Sequence, residues 1–323
     1  MKTLLRLLLP VTFLMLITSV APGQTAIPQY PSSTALKRDN EKMDLYARYY
    51  DAKKVATPEQ QRAAYELAQE YLKLYGNDID KYTDAVRKYV VAYEKALREF
   101  ELNKAYTAKN YVKVFGDGNA ILAKEPDDYF ALTMMTQAGY ELARTDQSRN
   151  KQTVEHARHA LRLIDAGGVT KTDPFKDVDS AKGFLNFAIG WLLRNESPAE
   201  SAAALRKSIE PNSPFKTDPG VYSLLGIMII KGEYEPKAAD YNNTYGNKPP
   251  SPEQTAALKQ LNDIGARAVD AYARAVALST KPEQQESKAK LMTQLTALYK
   301  TFNNDSDAGL NELIAGVLAK PLP

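Results

Sequence analysis

Apolar residues recur along this chain at spacings of three and four. Ala64, Leu67, Tyr71 and Leu74 form one such stripe, and Val86, Tyr89, Val90, Tyr93 and Leu97 a second. Leu291, Leu295, Leu298 and Phe302 form a third, and Leu310, Leu313, Ile314, Val317 and Leu318 a fourth. That period gathers apolar side chains on one face of an α-helix. No stretch alternates apolar and polar residues between hairpin turns, so no strand is predicted. Several helix starts are explicit: Thr57-Pro58-Glu59-Gln60, Ser197-Pro198-Ala199-Glu200 and Ser251-Pro252-Glu253-Gln254, with a looser form at Thr280-Lys281-Pro282-Glu283. In each strict form a hydroxyl accepts from a backbone N–H, proline sits where its missing N–H costs nothing, and Glu or Gln bonds back to the cap. Gly76-Asn77, Gly167-Gly168 and Pro321 mark stops. With ordinary helix and connection lengths, the pattern predicts an all-α protein of about eleven or twelve helices.

The first residues have a different pattern. Lys2 and Arg6 precede an apolar run from Leu7 to Val20, and Ala21-Pro22-Gly23 supplies small residues at a cleavage position. This predicts a secretory signal peptide over 1–23. The run is short for a membrane span, and nothing later is long and apolar enough, so no integral membrane segment is expected after cleavage. Residues 24–33, with Pro28 and Pro31 and no period, read as a flexible N-terminus. An exported protein follows, periplasmic in preference to extracellular. The leader's two basic residues, taken from 42, leave 40 bases against 39 acids, a net charge of +1. No basic field remains to attract nucleic acid. The absence of cysteine excludes disulfides, thiolate chemistry and Cys-ligated metals.

Tyr222, Leu225, Gly226 and Ile229, followed by Ala268, Tyr272 and Ala275, carry a family resemblance. The first set resembles the W-x2-L-G-x2-Y opening helix of a tetratricopeptide (TPR) unit, and the second its A-x3-F-x2-A closing helix. Weaker echoes lie at Tyr111, Val114, Ile121 and Pro126, at Leu132, Met135 and Thr136, and at Phe184, Phe187, Ala188 and Trp191 with Ser201, Leu205 and Ser208. The resemblance covers roughly 84–302. It implies a right-handed α-solenoid of helix-turn-helix units, with 34–83 as a divergent unit or cap and 303–323 as a C-terminal capping helix. The best unit is split by an insert, 233–262, that carries Tyr234, Tyr241 and Tyr245. Insertions in stacked repeats fall on exposed loops, often on the binding side. The insert therefore reads either as a recognition loop or as a tolerated surface loop whose tyrosines pack on a neighbouring helix.

Candidate chemistry is sparse. His156 and His159 share a helix face with no third ligand in view, and they are expected to point outward. Neither stands near a nucleophile-elbow pattern. Gly116-Asp117-Gly118-Asn119 lacks the Gly-Lys-Ser/Thr of a phosphate loop. Asp127-Asp128 reads as a helix cap in preference to a catalytic pair. No catalytic, cofactor or metal site is expected.

The sequence therefore points to a non-enzymatic scaffold that binds a protein or peptide. In TPR proteins the opening helices line the concave face. The resemblance makes Phe130, Gln137 and Tyr140, then Leu185, Ile189 and Leu192, then Ser223, Ile227 and Ile230 outward candidates, with Tyr234, Tyr241 and Tyr245 on the insert. These are largely apolar, which suits an apolar helix or extended segment as ligand. An all-α hydrolase acting on envelope polymer and a structural subunit of an envelope assembly stay open as alternatives.

Overall fold

The computed structural model describes residues 33–322. The expected signal peptide, and all but the last residue of the segment 24–33, lie outside them. Every regular element among the described residues is helical, as the periodicity predicts. The chain divides into two compact units, one ending at Arg98 and one beginning at Glu99. The division falls inside a helix, later than the expected boundary at residue 83.

The first unit holds α1 (Ser33–Lys54), α2 (Pro58–Tyr75) and the first part of α3 (Lys81–Thr107). Thr57 caps α2 by accepting from the Gln60 N–H at 3.3 Å. Its core is built largely from tyrosine. Tyr49 and Tyr71 are fully buried with Leu45, Ala64, Ala68 and Val86. Tyr46 meets the rings of Tyr49, Tyr71 and Tyr82 edge-on, at 5.7, 6.1 and 4.9 Å. Buried Lys42 donates to both Asp78 and Asp80 at 2.5 Å, tying α1 to the turn before α3. Asp80 also caps α3, accepting from the N–H groups of Tyr82 and Thr83. Burial works against both charges, but the hydrogen bonds outweigh it: Lys42 is held above the usual lysine value, and Asp80 falls to about 2.

The second unit continues with α4 (Tyr111–Leu122), α5 (Tyr129–Leu142), α6 (Asn150–Asp165), α7 (Val178–Leu193) and α8 (Pro198–Ile209). Then come α9 (Pro219–Ile229), α10 (Glu235–Tyr245), α11 (Pro252–Leu278), α12 (Gln285–Phe302) and α13 (Leu310–Gly316). From α4 to α9 each helix packs on the next in sequence, α9 packs on α11 and α11 on α12, and α5 also meets α7. Asp128 caps α5 at 2.8 Å and Ser251 caps α11 at 3.2 Å. Ser197 makes no side-chain cap.

Small residues set the closeness of these helix pairs. A Cβ on Gly139 would come within 2.0 Å of Thr153 Oγ1, and one on Gly226 within 2.8 Å of the Tyr272 ring. Gly226 and Tyr272, the two strongest marks of the resemblance, therefore meet across the α9–α11 seam.

The expected insert is mostly helical, including the helix predicted from Ser251, and only its residues 246–251 lie outside a helix. A π-helical turn, Ile230–Tyr234, joins α9 to α10 without a break, and α11 runs uninterrupted from Pro252. The unit is thus closed by two long antiparallel helices. The π turn has two local causes. Pro236 has no N–H to donate, and the Glu235 N–H reaches back five residues to the Ile230 carbonyl. Gly232 lies against the first turn of α8, where a Cβ would fall 2.3 Å from the Ala199 nitrogen.

Candidate protein-binding face

Helix α7 is apolar on nearly every side, and its rotation is fixed by its neighbours. Ala181, Gly183, Ala188 and Gly190 are buried where other helices approach. The Gly190 Cα faces Leu205 of α8, and the Gly183 Cα faces Ser213 and Phe215 of the segment after α8. Asp179 holds that segment by accepting from the Asn212 N–H at 3.2 Å. The remaining side of α7 carries Phe184, Phe187 and Trp191, all half-buried.

Tyr140 of α5 meets these three rings edge-on, at 6.0, 5.6 and 6.1 Å. Phe215 stacks on Phe187 at 4.8 Å, and Phe175 lies 5.3 Å from Phe184. The result is one contiguous surface of six aromatic rings. Leu224 and Ile227 of α9 are half-buried against the same core cluster as Phe187 and Phe215. Two cations edge the surface: Arg194 lies 4.1 Å from the Trp191 ring centroid and Arg144 5.8 Å from that of Tyr140. Arg144 has Glu141 at 3.7 Å. Arg194 donates to the Trp191 carbonyl, and burial pulls its pKa down. The Trp191 Nε1–H is buried and has no partner.

The residues singled out in the sequence fare unevenly. Tyr140 stands within the aromatic surface. Leu185, Ile189 and Leu192 do not offer a surface at all: they are 0, 6 and 2% exposed and belong to the core beneath it. The outward positions of α7 are instead the three aromatics that the TPR alignment assigns to packing. The polar side of α7, Asp179, Lys182 and Asn186, does not mark the outward face, since Asn186 is buried, and the hydrophobic pattern therefore could not fix its rotation.

Phe130 packs half-buried against the core of α4 and α5, and Gln137 is half-buried on α5. Ile227 and Ile230 are half-buried against the α9–α11 core. Tyr234 packs edge-on against Phe302 of α12 at 5.3 Å. Tyr241 and Tyr245 lie 5.5 Å apart, and Tyr241 accepts from Gln254 of α11 at 3.2 Å. Tyr234 and Tyr241 meet neighbouring helices, Tyr245 meets Tyr241 of its own helix, and all three lie within helical segments.

Of the two histidines expected to point outward, His159 reaches the surface and the His156 Nε2 does not. His159 bonds Asp127 at 2.7 Å, while His156 is partly buried with its Nε2 unpartnered, and desolvation lowers its pKa. Among the described residues no group of three or more His, Asp or Glu is placed to hold a metal, and no helix is long and apolar enough to cross a membrane.

Comparison of the chain with protein-family models, with curated proteins and with solved structures finds no significant match.

Proposed function

We propose that the second unit is a short, right-handed, TPR-like solenoid and that its aromatic face binds a protein segment without catalysing a reaction. The observation that carries this reading is the contiguous, partly buried set of rings formed by Tyr140, Phe175, Phe184, Phe187, Trp191 and Phe215. Adjoining apolar rings that keep part of their surface accessible are a common feature of interaction sites. Aromatic side chains concentrate binding energy at low entropic cost. Packing between sequence neighbours, with the alternate helices α5 and α7 also in contact, is the arrangement stacked repeats need. The leader over 1–23 supports export, to the periplasm in the first instance.

A bound segment of this kind is apolar or aromatic, in helical or extended form. Trp191 is the only tryptophan of the chain and gives a direct readout. Peptides selected from a displayed library should shift its emission on binding. Phe187→Ala and Tyr140→Ala should each weaken them by about 10-fold or more. Selected peptides that bind these variants as they bind the unaltered protein would sink the proposal.

A further inference from the structure

Helix α1 carries two faces. Lys42, Leu45 and Tyr49 are buried within the first unit. A second set, Leu36, Asn40, Met43, Ala47, Tyr50 and Lys54, is exposed at every position. Leu36, Met43 and Tyr50 are 50, 40 and 45% exposed and stand seven residues apart. The full set alternates spacings of four and three, the a/d seam of a coiled coil. Leu36, Met43 and Tyr50 take d, and Asn40, Ala47 and Lys54 take a.

The flanking residues say what fits this seam. Position e carries Lys37, Asp44 and Asp51, and position g carries Asp39, Tyr46 and Lys53. In an antiparallel pair of helices, a faces d, e faces e and g faces g. Setting Ala47 of one copy against Met43 of a second copy also sets Asn40 against Tyr50 and Leu36 against the aliphatic stem of Lys54. The same register brings Lys37 opposite Asp51 and Asp39 opposite Lys53, each twice by two-fold symmetry. Only Asp44, which meets its own counterpart near the axis, is unfavourable. A parallel pair would instead set Asp39 of one copy against Asp44 of the other.

Within the chain Lys37 reaches Glu41 at only 4.0 Å, and Asp51 has the exposed Lys54. Neither Asp39 nor Lys53 has an ion pair among the described residues, and the Lys53 ammonium rests over the Tyr49 and Tyr89 rings.

We infer that α1 is a self-association helix, pairing antiparallel with α1 of a second copy through Leu36, Met43, Ala47 and Tyr50. The seam spans about 28 Å at 1.5 Å per residue. A single helix pair of that length makes a small interface and a weak, concentration-dependent dimer.

Sedimentation equilibrium of the full mature chain, from micromolar to about 0.5 mM, tests this. The unaltered protein should pass from monomer to dimer across that range. Lys37→Glu and Asp51→Lys should each weaken dimerisation by roughly 10-fold, and the combined exchange should restore it. Because the chain has no cysteine, single cysteines report orientation. Asp44→Cys should be joined to a second copy by a short bismaleimide, and Leu36→Cys should not. A monomer at the highest concentration overturns the inference. So does a dimer that the charge exchange fails to restore, or one that crosslinks through Leu36→Cys.

Discussion

Tyr49 and Tyr71 of the first unit are fully buried, whereas Phe187 and Trp191 of the second stand partly in solvent. The first unit fills its interior with tyrosine and so must accommodate phenol groups inside. It does this partly by bonding them, as Tyr89 does to the Gln61 carbonyl at 3.0 Å. The second unit closes its helix seams with alanine and glycine, seen at Gly139 against Thr153 and Gly190 against Leu205. At some of these seams a glycine instead makes room for a ring, as Gly226 does for Tyr272 and Gly265 for Phe302. Tyrosine is thus the main packing material of the first unit, whereas the second gathers partly buried rings along one side of α7; each unit also holds the other kind, as exposed Tyr50 and buried Phe115 show. A ring's role follows from what surrounds it, more than from its type or its helical spacing.

The largest effect expected from this contrast is on stability. Tyr49→Ala removes a fully buried ring and should cost about 3–5 kcal/mol. Phe187→Ala removes a half-buried one and should cost roughly 1.5 kcal/mol or less, while weakening peptide binding. Urea denaturation of the two variants checks the pair. A Phe187 variant as unstable as the Tyr49 variant would make the aromatic surface core after all, and the contrast would fail.

A second difference is ionic. The Lys42–Asp78–Asp80 cluster of the first unit depends on a carboxylate whose pKa falls from 3.8 to about 2 on folding. A depressed carboxylate contributes stability that is present above the unfolded value, and that is lost as pH falls through the folded value. The shift corresponds to roughly 2 kcal/mol. The Asp80 side chain is 30% exposed, and solvent screening brings the expected contribution to about 1 kcal/mol. The loss falls between about pH 4 and pH 2. Asp80→Asn should lower stability at neutral pH and flatten this part of the acid profile. A variant with the same acid slope as the unaltered chain would place the effect on other groups.

Much of the helical framework is legible in the sequence. Thr57 and Ser251 accept the N–H bonds that their motifs require, although the Gln254 side chain donates to Tyr241 and its Oε1 does not bond back to the cap, and Asp128 caps α5. The seam between Gly226 and Tyr272 follows from the same residues that carry the repeat resemblance. Two features are not legible, for different reasons. The rotation of α7 is hidden because its polar side, Asp179, Lys182 and Asn186, includes the buried Asn186 and does not mark the outward face; the small residues Gly183 and Gly190 hint at where its neighbours press. Continuity through Pro236 is hidden because a proline after Gly232 and Glu233 reads as an interruption. A π turn keeps the helix intact there, and its position depends on how α8 meets Gly232.

The smallest effect sharpens the comparison most. The Tyr49 hydroxyl is buried with no hydrogen-bond partner, so the first unit keeps the ring and bears the desolvation of the phenol. Burial drives the Tyr49 pKa upward, so the group stays neutral as a buried phenol. Tyr49→Phe leaves the ring contacts with Tyr46 and Tyr89 and removes only the unpaired oxygen. An unsatisfied buried hydroxyl costs about 1–3 kcal/mol, partly offset by the small void its removal leaves. Tyr49→Phe should therefore match or exceed the unaltered protein by up to about 1 kcal/mol. Tyr89→Phe, which loses a bond to a backbone carbonyl, should lose about 1 kcal/mol. Opposite signs for these two chemically identical changes would show that the ring, and not the phenol, is what the tyrosine core uses at position 49. A loss at both positions would mean that the Tyr49 hydroxyl is satisfied in solution, and the first unit would then be a tyrosine hydrogen-bond network as much as an aromatic core.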